Sequence, residues 1–531
     1  MHFSIIDVGH GARDGVVLVR KVGINCVKCQ TPSTAAPEGT SKFRRLLQRN
    51  NSRAEAVLTK NGWVRGVKSR DGDYDMFLGI PYGRVKQDNP FGDAEPFGKY
   101  DGVFEAIDNS KICPQLDELS KTFGGTIDCL NINVYVPRSR TGKLAVMVYI
   151  FGGQFRFGFA GNFKGYSMYG PRHLLRYNII YIIFNNRLGP YGYMCLGTRK
   201  VPGNAGLKDQ SLALKWVKDN IEAFGGDSNK ITLFGHSSGA VSVDLHIHYQ
   251  PSDLFQQAIL QSGSITFRGS VGNINTSVPL ILADKLGLST NDVDAALLFL
   301  TKKDPIDVVK VSVNTIKEYN PCVEQKIQGV RHMITHDPKR LVPKVEKRKI
   351  MIGHTREESN MLYAKIPKEY FDNNDVFKYV IPLTFDLNQT QLNLALSEVK
   401  HFYIGDNLVY YYVFTYCGGR NLHKVVNNIT ADGAMHADEV GYIYQPTFFE
   451  DTTQNDQLIV DKMTKMWTNF AKYGNPTPTP TKLLPETWIP ITEESKPYLR
   501  IDLETHMDIE ILPRIAFWDQ LFKKYSKYIR N

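Results

Sequence analysis

Cysteine is scarce, at seven residues in 531. So few thiols exclude a disulfide-built scaffold, and the odd count leaves at least one of them unpaired. Cys26-x-x-Cys29 has no second Cys pair or His-x₃₋₅-His at zinc-binding spacing, which argues against a metal site there. No run of about 18 apolar residues occurs, so the sequence predicts no membrane span. A secretory h-region is missing as well, because Asp7, Gly9, Gly11 and Asp14 interrupt the N-terminus. The basic charge is not spread over the chain: nine Lys/Arg against three Asp/Glu in residues 1–53 supply six of the ten net positive charges. That is the pattern of a solvated tail rather than a nucleic-acid surface, and no nucleic-acid partner is expected.

What is present suffices for a large core, with 42% hydrophobic and 11% aromatic residues. Residues 1–53 show no sustained periodicity and are predicted to be a disordered N-terminal extension. Residues 54–531 are predicted to form a single domain, with Pro476–Lys482 as a surface loop. Short apolar runs predict buried strands at Lys143–Phe151, Asn178–Phe184, Lys230–Phe234, Gln257–Gln261, Lys349–Ile352 and Val409–Tyr416. Between them, Asp209–Phe224 has the spacing of an amphipathic helix. Strands alternating with helices imply an α/β fold with a mainly parallel sheet.

The chemistry is signalled by Gly235-His236-Ser237-Ser238-Gly239, set between the apolar run Ile231–Phe234 and a helical stretch. Strand, Gly-x-Ser-x-Gly turn and helix form the context of a nucleophile elbow, where a strained turn exposes the Ser hydroxyl at a helix N-terminus. A Ser hydroxyl needs a base, and the base needs an orienting carboxylate. Both are available downstream in the order that α/β-hydrolases use. Glu357 and Glu358 follow a predicted strand, and His436 lies in the small-residue loop Gly433–Glu439. Upstream, Gly152-Gly153-Gln154 follows another predicted strand, where free backbone N–H groups are suited to an oxyanion.

From about residue 55 onward the chain closely resembles the type-B carboxylesterase/cholinesterase family. The matching segments are Phe77-Leu78-Gly79-Ile80-Pro81-Tyr82, Asp128–Val134, Asn186-Arg187-Leu188-Gly189, Gly203–Gln210, Phe224-Gly225-Gly226-Asp227, Gln261-Ser262-Gly263-Ser264 and Trp467–Ala471. The details are most similar to insect carboxylesterases. The resemblance implies an α/β-hydrolase fold, with Ser237 as nucleophile, His436 as general base and Glu358, rather than Glu357, as the acid. It implies an oxyanion hole from the amides of Gly153, Gln154 and Ser238, a disulfide between Cys113 and Cys129, and no cofactor or metal. No counterpart of the family's second disulfide is evident.

Three features depart from the family's pattern. Gln154 stands where a third glycine is usual, and a positive φ there costs of order 1 kcal/mol in strain. His236 and Ser238 flank the nucleophile where Glu and Ala are commonest, so the carboxylate that would stabilise an imidazolium is missing. Glu358 and His436 are also closer in sequence than usual, the deficit falling near Tyr403–Asn407. No Trp lies between Cys113 and Cys129, which disfavours a choline-binding site.

The implied function is a serine hydrolase acting on small-molecule carboxyl esters. The alternatives are an esterase-like binding or adhesion protein, or one that sequesters an ester by stoichiometric acylation. Asn50, Asn275, Asn388 and Asn428 open possible glycosylation triplets. With the Cys113/Cys129 pair, family resemblance implies the secretory pathway, and the visible N-terminus leaves the cytoplasm as the alternative.

Overall fold

Short, continuous apolar segments become strands when both faces of a sheet are covered. The computed structural model describes residues 53–249, 252–265, 270–336, 348–358, 408–449, 452–492 and 497–508. Within them one sheet of thirteen strands runs through the molecule. In chain order these are β1 (Arg53–Thr59), β2 (Gly62–Lys68), β3 (Tyr74–Pro81), β4 (Val103–Glu105), β5 (Asn131–Pro137), β6 (Leu144–Ile150) and β7 (Ile180–Phe184). They continue as β8 (Gly226–His236), β9 (Gln257–Gln261), β10 (Lys349–Thr355), β11 (Leu408–Phe414), β12 (Tyr498–Ile501) and β13 (His506–Asp508). The spatial order is β1-β2-β3-β5-β7-β6-β8-β9-β10-β11-β12-β13, with β4 beside β2.

Strands β7-β6-β8-β9-β10-β11-β12 are all parallel, and antiparallel pairs flank them at both ends. Every residue of β6, β7 and β9 is buried. Along β6, Leu144, Val146, Val148 and Ile150 enter one core, while Ala145, Met147 and Tyr149 enter a second. That period of two divides the apolar layers between the faces of the sheet.

Two helices cover the first face: α1 (Ala205–Asn220), through Leu207, Leu214 and Val217, and α2 (Ser238–Tyr249), through Val241, Val243 and Leu245. On the second face lies α3 (Gln454–Tyr473), with Ile459, Met463, Met466 and Trp467 inward. Its Thr453 N-cap accepts from the Asp456 amide, and Gly474 closes it at φ +63.

The strand expectations hold to within a few residues, except that β8 starts earlier, at Gly226. The helix begins four residues before the expected Asp209 and ends at Asn220, with Ile221–Phe224 forming a separate 3₁₀ turn. Its first turn, Ala205–Lys208, is buried all round, so no polar face marks it in the sequence. Residues 1–52 lie outside the described residues, whereas Arg53 already belongs to β1. Tyr403–Asn407, where the acid-to-base interval is short, lie outside them too, as do Asn50 and Asn388. Asn275 and Asn428 are exposed. Among the described residues no helix is long and apolar enough to cross a membrane.

Cys113 and Cys129 are joined by a disulfide, with Cα atoms 5.0 Å apart. A second disulfide, between Cys195 and Cys322, corrects the expectation that none would be found. Its partners are 127 residues apart, with no local pattern to link them. Asn204 fastens the distal strand of this crosslink: its amide nitrogen donates to the Cys322 carbonyl, and its oxygen accepts from the Cys322 N–H, both at 2.8 Å. A bond closing so long a loop restricts the unfolded chain strongly. Replacing both cysteines by serine is expected to lower the unfolding free energy by about 2–5 kcal/mol, read by chemical denaturation.

Candidate active site

The carboxyl ends of β6, β8, β9 and β10 lie side by side, which is where open α/β sheets form their sites. Strand β8 ends at His236, and helix α2 starts at Ser238. Ser237, between them, sits at φ +54, a left-handed conformation that is strained for a serine. Its N–H donates to the Gln261 carbonyl (2.8 Å), and its carbonyl accepts from Val241 in the first turn of α2. Glycine is required beside it. A Cβ on Gly239 would stand 2.2 Å from the Ile150 carbonyl oxygen, and one on Gly152 would stand 2.6 Å from the His236 oxygen. The turn is half-buried at Ser237 and buried on either side.

After β6, the chain folds tightly through Gly153 (φ +127), Gln154 (φ +54) and Phe155 (φ +58). The Gly153 carbonyl accepts from the Arg156 and Phe157 amides. Phe155 N–H donates to Ser238 Oγ at 3.3 Å, tying this loop to the elbow. Ser238 in place of alanine therefore adds an anchor. Gln154 takes the positive φ that its identity makes costly, and the residue is exposed. The Gly153 and Gln154 amides donate to no acceptor among the described residues.

His436 and Glu358 meet although 78 residues separate them: Glu358 Oε2 lies 2.5 Å from His436 Nδ1. The other carboxylate oxygen accepts from Ser262 Oγ (2.6 Å) and from the Thr355 N–H (2.8 Å). A carboxylate held by three donors cannot rotate freely, and it fixes the ring it faces. Burial alone would raise the Glu358 pKa, but the His436 ring and the Ser262 hydroxyl outweigh it and hold the carboxyl below its usual range. His436 moves the opposite way. Burial works against its cation, yet the Glu358 charge and hydrogen bond raise its pKa above the ordinary imidazole value. Adjacent Glu357 is aimed elsewhere, with its side chain against Gly433 and its Oε1 3.6 Å from Arg356 Nε.

The ring of His236, the residue preceding Ser237, packs 4.7 Å from the His436 ring. The elbow is thereby brought alongside the imidazole. Sequence reasoning missed Ser262, although the segment Gln261–Ser264 had stood out. It also missed Glu439, a buried carboxyl 3.4 Å from Ser262 Oγ and 3.9 Å from His236 Nε2. No carboxyl group immediately precedes Ser237 in the sequence, and one approaches His236 from the His436 loop instead.

Two further histidines take packing roles. His246 Nε2 lies 2.9 Å from Gln210 Oε1 on α1, and His354 bridges the Thr355 carbonyl and the Tyr411 hydroxyl. Among the described residues no group of three His, Cys, Asp or Glu is arranged to hold a metal.

A model of the carboxylesterase family matches residues 53–407 and 387–518. The chain is 30% identical over 512 residues to bile salt-activated lipase of Mus musculus, covering 84% of this chain and 83% of that one. To juvenile hormone esterase of Heliothis virescens it is 27% identical over 506 residues, 81% and 87% of the two chains. Esterase FE4 of Myzus persicae is 28% identical over 481 residues, 78% and 83%. The crystal structure of juvenile hormone esterase from Manduca sexta, with OTFP covalently attached, superposes with a TM-score of 0.73. That match covers 88% of this chain and 99% of the other at 24% identity, and it shows a shared α/β-hydrolase fold.

Proposed function

Because the chain belongs to the carboxylesterase family and is a carboxylic ester hydrolase, we propose that it works through Ser237, His436 and Glu358 in two steps. Ser237 Oγ attacks the ester carbonyl while His436 Nε2 takes the hydroxyl proton. The tetrahedral intermediate collapses, and the alcohol leaves carrying that proton. A water molecule then gives a proton to His436 and attacks the acyl carbonyl; the bond to Oγ breaks, His436 returns the proton to Ser237 and the acid leaves. Glu358 stays ionised on Nδ1, selecting the tautomer that leaves Nε2 free to accept and stabilising the imidazolium. The observation that carries this reading is the 2.5 Å contact between His436 and a Glu358 carboxylate already anchored by Ser262 and Thr355.

Developing negative charge on the carbonyl oxygen falls to the amides of Gly153, Gln154 and Ser238. An amide donates whatever its side chain, and Gln154 is an exposed residue. Gln154→Gly is therefore expected to keep kcat/KM within a few-fold of wild type. Gln154→Val, whose branched Cβ resists φ near +54, displaces the donor and is expected to lower kcat by about 10²–10³-fold. Steady-state kinetics on both variants check this.

Small carboxyl esters are the substrate class. With p-nitrophenyl acetate, this reading gives steady turnover after any initial burst. One equivalent of nitrophenol without further release would instead mark a sequestering protein, and no release at all an esterase-like binding protein.

A further inference from the structure

Beside the Glu358–His436 contact lies a second carboxyl and imidazole for which the two-step scheme has no role. His236 closes β8 and is 6% exposed, and Glu439 is fully buried at the end of the His436 loop. His236 Nε2 stands 3.9 Å from Glu439 Oε1, too long for a hydrogen bond and too short for a water between them. His236 Nε2 and Glu439 Oε2 have no hydrogen-bond partner among the described residues. Buried polar atoms are costly without partners, so two such groups facing each other across a gap call for an explanation. The two couples are linked. Ser262 Oγ reaches Glu358 at 2.6 Å and Glu439 at 3.4 Å, while the two imidazole rings lie 4.7 Å apart at 43°.

We propose that His236 and Glu439 form a second imidazole–carboxyl couple, joined to the first through Ser262, that sets the charge against which His436 works. Both are positioning residues, and their role rests on the reading of Ser237, His436 and Glu358 given above. Glu439 is surrounded by groups that disfavour its charge. Glu358 lies beyond β10, Asp438 adjoins it in its own loop, and Tyr412 of β11 and Tyr149 of β6 close the buried side. His436 and His236 are the cations or neutral rings that face it. Burial first, and then the Glu358 charge, push its pKa up to about 8. His236 is pushed well below the ordinary imidazole range by burial and by His436, so it is a neutral ring. At neutral pH the couple thus carries no net charge, in contrast to a glutamate placed directly before the nucleophile.

The consequence is a second ionisation in the rate. Catalysis needs His436 unprotonated, so kcat/KM rises with pH through a first step above pH 6.5, where Glu358 has moved the imidazole. As Glu439 loses its proton to solvent, a carboxylate appears beside the ring that becomes imidazolium in the transition state. An opposite charge within about 4–6 Å is worth one to three pKa units, so a further rise of about tenfold is expected near pH 8. The two steps belong to the cluster rather than to single residues.

The test is the background-corrected kcat/KM of the full chain for p-nitrophenyl acetate between pH 5 and 10. Wild type should show both steps. Glu439→Gln should retain the first and lose the second. His236→Phe replaces the polar ring that faces Glu439 with an apolar one and should move the second step up by about one pH unit. His236→Gln, which can still hydrogen-bond, should move it less. Profiles in all three variants that match wild type in shape, or that fall equally at every pH, would overturn the proposal. Turnover that survives Ser237→Ala would instead overturn the assignment of the first couple, so the two failures are distinct.

Discussion

Ser237→Ala is expected to lower kcat for p-nitrophenyl acetate by about 10⁶-fold while leaving the fold intact. The loss is large because no other step can begin: without the hydroxyl no acyl-enzyme forms, and His436 has no proton to accept. Residual hydrolysis of about 10³–10⁴-fold over water remains from the oxyanion hole and binding. Serine and alanine carry the same Cβ, so the strain at φ +54 is unchanged and the 2.8 Å bond from the residue 237 amide to Gln261 persists. The check is single-turnover kinetics alongside a thermal melt, so that activity and folding are read separately.

The second large effect is expected at Glu358. In Glu358→Gln, Ser262 and Thr355 still hold the side chain, but an amide no longer selects the correct His436 tautomer or stabilises the imidazolium. A loss of about 10⁴-fold in kcat is expected. The pH dependence should change in a defined direction. Glu358 raises the His436 pKa against burial, so the wild-type acid limb lies above pH 6.5. Once that carboxylate is neutral, burial acts with less opposition, and the acid limb moves to lower pH. Glu357→Gln, with its carboxyl turned toward Arg356 and Gly433, should stay within a few-fold of wild type. Pre-steady-state rates for both variants between pH 5 and 9 separate the two glutamates.

How much of this was legible in the sequence depended on whether the cause was local. The elbow was legible because its tight approach admits only glycine at 239, where any Cβ would meet the backbone of β6. Strands β6, β7 and β9 were legible because burial on both faces leaves short unbroken apolar runs. The start of α1 was not, since Ala205–Lys208 is buried on every side and shows no period. Glu357 and Glu358 are indistinguishable by local chemistry. Only family spacing singled out Glu358, and its approach to His436 depends on how β10 and the His436 loop come together. The strain at Gln154 followed from one residue type, whereas the exposure of that residue did not. Least visible were the Cys195–Cys322 bond and the approach of Glu439 to His236, because each joins segments far apart in the chain. No carboxyl group stands directly before Ser237 in the sequence, yet in three dimensions that of Glu439 approaches His236 from the loop that carries His436.

The proposed chemistry requires one oxygen, Oγ of Ser237, to become covalently bonded to an acyl or phosphonyl group. The most direct measurement is the position and stoichiometry of fluorophosphonate attachment to the purified protein, read by intact mass and peptide sequencing. One adduct per chain, on Ser237 and absent from Ser237→Ala, is the predicted result. An adduct on another residue, or none from a protein that still hydrolyses esters, would contradict it.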